Sequence, residues 1–176
     1  MKPSWGGLRL AGALRLAGGL LPAALLLPVL LLTPGCGSGP KTGPEQVRWD
    51  KVVCVRCIMA VSDRRYAAQV RGGPAERRTR VEFFDDIGCT VLWLDEQPWR
   101  DDPRTEIWVT DYRDGSWLDA TRAFYEKDKI TPMDYGIGAR PDSVPGALNW
   151  EQARTEIYRR EAEFHGAGGP SAVPGS

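Results

Sequence analysis

The sequence predicts an α+β fold for the central part of the chain. Three observations support this class: short apolar segments with the alternation of β-strands, helix-like segments that follow a capping residue, and polar turns between them. Residues 47–165 contain all of these segments, and this length is sufficient for one domain with a hydrophobic core. The residues on either side differ in composition and are assigned to other roles.

Residues 1–35 are typical of an export signal. A basic stretch without acidic residues precedes a long apolar run. The run is also long enough to span a bilayer, so an uncleaved anchor is the alternative. Gly35 and Cys36 come after the run, and a small residue before a cysteine resembles the lipobox of bacterial lipoproteins. We predict that Cys36 is lipidated and anchors the chain to the membrane, with the domain on the periplasmic or extracytoplasmic side.

The segments that flank the domain have the composition of flexible chain. Residues 36–46 are rich in glycine and proline and predict a tether between the lipid and the domain. Residues 166–176 have the composition of a disordered tail.

The charge balance argues against a nucleic-acid partner. The whole chain has 23 basic and 23 acidic residues. Because residues 1–35 hold three basic residues and no acidic one, their removal leaves 20 basic against 23 acidic residues. Binding to nucleic acid requires a basic surface that displaces counterions from phosphates, and a net negative chain does not favour it.

The strands are predicted from alternating apolar residues between turn signals. Asp114 and Gly115 form an Asp-Gly pair between two of these segments, which predicts the turn of a hairpin. The five predicted strands are 47–55, 66–71, 78–84, 106–112 and 116–120.

Each predicted helix begins at a residue that can cap it. Asp85 or Asp86 is placed to cap the first helix, and Asp119 the second, which is short. Asn149 opens the last helix, with Gln152 at the capping-box position. The three predicted helices are 85–97, 119–127 and 149–164.

The cysteines exclude two common kinds of site. Without Cys36 the chain holds Cys54, Cys57 and Cys89, and an odd number leaves at least one thiol unpaired within a single chain. Haem attachment requires a histidine directly after the C-x-x-C motif, where Ile58 stands. A zinc ribbon requires a second pair of ligands, and Cys89 alone is available.

Two other interpretations of the C-x-x-C pair remain open. One is a thiol–disulfide oxidoreductase that uses Cys54 and Cys57, with Thr131-Pro132 beside the dithiol. Thioredoxin-like folds place the motif at the start of a long helix, whereas residues 60–70 predict a turn and a strand. The other is a structural or adaptor lipoprotein whose cysteines are buried and unreactive.

Soft-metal binding fits the residue types best. In an extended strand, side chains two apart share a face, which would place Cys57 beside Met59 and Cys54 on the opposite face unless the backbone turns. Thiolate and thioether ligands together select Cu(I). Met133 lies in a predicted turn, where its side chain can be exposed. Cys89 is interpreted as a small buried apolar residue of the first helix.

The chain resembles the NosL-type accessory proteins of nitrous oxide reductase, which are copper-binding lipoproteins. The resemblance covers most of residues 50–140 and begins at the C-x-M element, Cys57-Ile58-Met59. Ile58 and Asp134 stand where the family often has glycine. The other matching segments follow in the family's order: AVSDRRYAAQV, VEFFDDIGC, IWVTDY, WLDATRAFY and TPMDYGIGA.

The resemblance implies a fold of two similar ββαβ units packed as one compact domain. The predicted elements agree with a duplication, because the order strand, strand, Asp-capped helix occurs at 66–96 and again at 107–127.

The resemblance also implies a function without catalytic turnover. The protein would be a periplasm-facing metallochaperone that holds one Cu(I) for delivery to nitrous oxide reductase, with Cys57, Met59 and Met133 as the ligands. The expected partners are the apo-reductase, the membrane transporter complex that assists its maturation, and the membrane itself through the lipid anchor. Another exported copper enzyme is the alternative client.

Overall fold

The computed structural model describes residues 41–166. The predicted leader 1–35, the predicted lipidation site Cys36 and residues 167–176 of the predicted tail lie outside the described residues. Within residues 41–166, no helix is long and apolar enough to cross a membrane.

The described chain contains six short strands and two helices. The second helix is the longer one and ends the described part of the chain. The elements in chain order are β1 (Ala68–Gly72), β2 (Arg80–Phe84), α1 (Ile87–Asp95), β3 (Glu106–Thr110), β4 (Trp117–Asp119), β5 (Phe124–Glu126), β6 (Gly138–Arg140) and α2 (Trp150–Gly166).

The main sheet has four antiparallel strands in the order β2-β1-β3-β4. All five residues of β1 are buried, because this strand has a neighbour on each edge and α1 packs against it. Helix α1 also contacts β2 and α2. Strands β5 and β6 form a separate two-stranded antiparallel sheet, and β5 contacts α2. The predicted α+β class is confirmed.

A segment before β1 supplies hydrogen-bond partners to the polar residues of this buried strand. The Gln69 side chain accepts from Glu45 N–H at 2.8 Å and donates to the Glu45 carbonyl at 2.7 Å. Arg71 Nε donates to the Gly43 carbonyl at 3.0 Å, and its guanidinium lies 3.2 Å from the Glu45 carboxylate. Buried polar groups require such partners. Residues 43–45, within the predicted tether 36–46, are therefore fastened to the sheet.

The strand predicted at 47–55 is wrong. Asp50 has a positive φ of 61°, and the N–H groups of Lys51 and Val52 both donate to the Arg48 carbonyl. The chain therefore turns where the apolar alternation predicts extension. Its only ladder contact in the described structure is an isolated antiparallel bridge between Val53 and Ala60.

The helix predicted at 119–127 is also wrong. Asp119 accepts from Thr121 N–H at 2.9 Å, as a capping residue would, but the chain continues as a turn into strand β5. Tyr125 in this strand is fully buried, exchanges backbone hydrogen bonds with Leu148 and donates its hydroxyl to the Ala120 carbonyl. Strand pairing and aromatic burial thus override the local helical signal. The described chain does not confirm two ββαβ units, because no helix follows β3 and β4 directly and the second helix, α2, comes only after β5 and β6.

Three other local predictions are confirmed. Asp86 is the N-cap of α1. In the hairpin of β3 and β4, Gly115 has a φ of 79°, which glycine adopts without strain. The capping box of α2 is reciprocal, since Asn149 N–H donates to the Gln152 side chain and Gln152 N–H to the Asn149 side chain.

Candidate metal centre

The C-x-x-C-x-M segment forms a tight turn. Cys54 N–H donates to the Met59 carbonyl at 2.8 Å, and Ile58 N–H donates to the Cys54 carbonyl at 3.0 Å. Ile58 closes the turn with a φ of 64°, a left-handed conformation that is costly for a β-branched residue. The extended strand from which we predicted a shared face for Cys57 and Met59 is therefore wrong, and the backbone turn brings Cys54 to the same side as Cys57.

This turn assembles a cluster of four potential ligands. The sulfur atoms of Cys54, Cys57 and Cys89 and a carboxylate oxygen of Asp85 all lie within 4.8 Å of one another, and we call these four residues the thiol cluster. Cys54 and Cys89 are fully buried, Cys57 is partly exposed, and all three cysteines are free thiols. The Cys57 thiol donates to the Asp85 carboxylate, with sulfur–oxygen distances of 3.2 and 3.3 Å.

Two members of the cluster come from the start of α1. Asp85 precedes the N-cap, and Cys89 is four residues further along the chain, so the first turn of the helix brings both side chains to one side. We predicted Cys89 to be an apolar packing residue, but it lies among the other thiols as well as in the core. The spacing of four residues between Asp85 and Cys89 could have indicated that their side chains lie on one side of the helix. Nothing in the local sequence indicated that the C-x-x-C turn would pack beside them.

The thiols of the cluster differ in acidity. A hydrogen bond from Cys89 lowers the pKa of the Cys54 thiol to about 6, against the opposing effect of burial. Burial raises the pKa of Cys57 to about 12, and hydrogen bonds with Cys54 and Asp85 add to the rise. The pKa of Cys89 is raised because its proton is held in the hydrogen bond to Cys54. Cys54 is therefore the most acidic of the three thiols.

Asp86 connects the Met133 loop to this cluster. Its Oδ1 accepts from Gly88 N–H at 2.9 Å and caps α1, while its Oδ2 accepts from Met133 N–H at 3.2 Å. The neighbouring Asp85 accepts from the Cys57 thiol. Two successive carboxylates at the start of α1 thus hold the two loops that carry the predicted ligands. Met133 is partly buried against the core, whereas Met59 is 49% exposed.

A second set of contacts joins the same loops to α2. Tyr135 Oη accepts from Arg56 Nη1 at 3.0 Å and donates to the Glu161 carboxylate at 2.6 Å. Arg56 Nη2 also lies 2.6 Å from Glu161. Since Arg56 stands between Cys54 and Cys57, this triad fixes the C-x-x-C turn relative to the Met133 loop.

The buried Asp86 carboxyl group predicts a pH-dependent stability. Burial raises its pKa from 3.8 to about 6, although hydrogen bonds from Thr131, Gly88 and Met133 oppose the rise. Between these pH values the native state binds a proton that the unfolded chain has lost, so the free energy of unfolding should fall as the pH rises from 4 to 6. The fall should be about 3 kcal/mol.

This dependence can be measured by urea denaturation of wild type and Asp86→Asn at pH values from 4 to 7. The variant should be less stable overall, because an amide cannot accept from both Gly88 and Met133. It should nevertheless lose the decline between pH 4 and 6 that the wild type shows. An equal decline in both proteins would assign the pH dependence to other groups.

Comparison with known proteins bears on these residues directly. A family model for NosL matches residues 48–176, a range that includes the whole thiol cluster and both methionine loops. The chain belongs to the NosL family. NosL proteins are extracytoplasmic, copper-binding accessory proteins and are not known enzymes. The thiol cluster agrees with a copper-binding role. Neither a curated protein nor a solved structure matches the chain.

Two departures from the usual NosL pattern coincide with left-handed backbone. Ile58 and Asp134, the two positions at which the sequence resemblance leads us to expect glycine, have φ angles of 64° and 58°. Aspartate tolerates this conformation better than a β-branched residue does. Two hydrogen bonds hold the Ile58 turn in place, from Cys54 N–H to the Met59 carbonyl and from Ile58 N–H to the Cys54 carbonyl.

Proposed function

We propose that this protein binds one Cu(I) outside the cytoplasmic membrane and delivers it to nitrous oxide reductase during assembly of the copper centres. The ligands are Cys57, Met59 and Met133. The observation that carries this proposal is the attachment of the Cys57 and Met133 loops to the neighbouring carboxylates Asp85 and Asp86. One thiolate and two thioethers form a soft ligand set, which favours Cu(I) over harder cations.

Transfer of copper proceeds by ligand exchange. Metal binding displaces the Cys57 thiol proton, and the Asp85 carboxylate that accepts this hydrogen bond is placed to receive it. The thioethers are neutral, and the Met59 side chain is 49% exposed, so an incoming ligand of the client can replace it first. A three-ligand site leaves room for the shared intermediate that such an exchange requires.

Membrane attachment and partners complete the proposal. A lipid on Cys36 would hold the protein at the extracytoplasmic surface, near the membrane transporter complex that assists maturation of the reductase. The apo-reductase is the acceptor.

The two other interpretations of the cysteines receive less support. Cys54 is fully buried, which argues against attack on an external disulfide, and the partial exposure of Cys57 argues against a purely structural role.

Copper transfer to the purified apo-reductase tests the proposal. Wild-type protein loaded with Cu(I) should raise the copper content of the reductase beyond what the same amount of chelated Cu(I) achieves. Protein with Cys57→Ser, carried through the same loading, should give no such increase. Efficient transfer to a different exported copper enzyme, with none to the reductase, would retain the chaperone role and replace the client. No transfer to either class of acceptor would contradict the proposed delivery.

A further inference from the structure

Cys54 and Cys89 are buried thiols that the proposed copper ligand set does not use. Both are fully buried, and both sulfur atoms lie within 4.8 Å of the sulfur of Cys57. Their own two sulfur atoms also lie within 4.8 Å of each other, so these two thiols are direct neighbours. They stand on different elements, the C-x-x-C turn and α1, and are 35 residues apart in the chain. This arrangement places a dithiol directly behind the proposed copper ligand.

We propose that Cys54 and Cys89 form a redox-active dithiol that reduces Cu(II) to the Cu(I) carried by this protein. The inference rests on the proposed binding of Cu(I) at Cys57. Two Cu(II) ions each take one electron. The two thiols lose two electrons and two protons, and one sulfur–sulfur bond forms between Cys54 and Cys89. The products are two Cu(I) ions, one disulfide and two protons released to solvent.

The environment of Cys57 supports a sequence in which Cu(II) first binds at Cys57 and is then reduced by the buried pair. Cys57 is partly exposed, whereas Cys54 and Cys89 are closed to solvent, so an arriving ion meets Cys57 first. The Asp85 carboxylate beside it supplies an oxygen donor, which suits Cu(II) better than sulfur alone does. The Cys57 sulfur and the Asp85 oxygen lie within 4.8 Å of the sulfur atoms of the buried pair. An electron therefore needs to cross at most this distance.

The choice of Cys54 and Cys89, rather than the two cysteines of the C-x-x-C motif, follows from their burial and from the hydrogen-bond partner of Cys57. The Cys57 thiol donates to Asp85 and is partly exposed, whereas Cys54 and Cys89 are both fully buried, with their sulfur atoms within 4.8 Å of each other. A disulfide between Cys54 and Cys89 leaves Cys57 as a free thiol that can retain the reduced ion. A disulfide between Cys54 and Cys57 would destroy the proposed ligand set.

The test follows Cu(II) by electron paramagnetic resonance under anaerobic conditions. It uses the full-length chain in detergent, with Cys36→Ala in every sample and acetonitrile present to hold released Cu(I). Wild-type protein should consume about two Cu(II) per chain, because a dithiol supplies two electrons. The double variant Cys54→Ser/Cys89→Ser should consume Cu(II) at least tenfold more slowly. It should still bind Cu(I) supplied directly, which shows that the fold and the proposed ligand set remain.

A second variant separates this inference from the proposed function. Cys57→Ser removes the proposed Cu(I) ligand and retains the buried dithiol, so it should lose tight Cu(I) binding but still consume about two Cu(II) per chain. Peptide mapping of oxidised wild-type protein should find Cys54 joined to Cys89 and Cys57 open to alkylation. A Cys54–Cys57 disulfide, or equal Cu(II) consumption by wild type and the double variant, would overturn the inference.

Discussion

Cys57→Ser is expected to abolish tight Cu(I) binding. The substitution removes the only thiolate of the proposed ligand set and replaces it with a hydroxyl, a hard donor that Cu(I) binds poorly. We expect the affinity to fall by at least about a thousandfold, or ~4 kcal/mol. Competition with a chromophoric Cu(I) chelator, on fully reduced protein that carries Cys36→Ala, measures the affinity directly.

The two thioether ligands should show a smaller loss in the same measurement. Met59→Leu and Met133→Leu keep an apolar side chain of similar volume, so the fold should be preserved while the sulfur is removed. Each should lower the Cu(I) affinity about tenfold or more, which corresponds to ~1.4 kcal/mol. Ile130→Leu is a matched control in the loop before Met133, because Ile130 is 91% exposed and offers no ligand atom.

Cys54→Ser is the critical comparison for Cys57→Ser. Cys54 belongs to the thiol cluster but not to the proposed ligand set, so its substitution should weaken binding only modestly. Equal losses in the two serine variants would indicate a dithiolate site built on the C-x-x-C motif. An unchanged affinity in both methionine variants would remove the thioethers from the site.

Gly88→Ala is expected to destabilise the protein and to lower its Cu(I) affinity. A Cβ atom at this position would lie 2.1 Å from Cδ2 of Tyr135, whose side chain is buried. Alanine normally favours a helix over glycine by about 1 kcal/mol, but overpacking of this kind costs about 1–3 kcal/mol or more. Tyr135 must therefore move, and the Met133 loop that contains it must shift relative to Asp86 and the thiol cluster.

Gly72→Ala provides the matched control for this prediction. Its Cβ atom would lie 2.2 Å from the Trp99 ring, so the steric conflict is similar. Gly72 pairs with Arg80, at the end of β1 and β2 that is remote from Phe84 and the cluster. Urea denaturation should show a loss of stability in both variants, while only Gly88→Ala should reduce the Cu(I) affinity of the folded protein. Equal affinities would mean that the contact with Tyr135 does not position Met133.

The accuracy of the sequence-based predictions depended on the range of the interactions involved. The Asp86 cap, the Gly115 turn and the Asn149–Gln152 capping box were predicted correctly because their hydrogen bonds join residues only two to four positions apart. The predicted helix at 119–127 failed because Tyr125 pairs with Leu148, more than twenty residues away. Local patterns cannot anticipate a partner at that distance.

The sequence by itself determined the chemistry of the site: free thiols and thioethers, which suit a soft metal ion. Only the tertiary structure decided which of these groups meet. The left-handed turn at Ile58 reverses the chain so that Cys54 and Cys57 face the same neighbours, and the packing of α1 brings Asp85 and Cys89 to them. The physical reason is that burial and long-range hydrogen bonds, rather than the alternation of side chains along a strand, set the direction of this backbone.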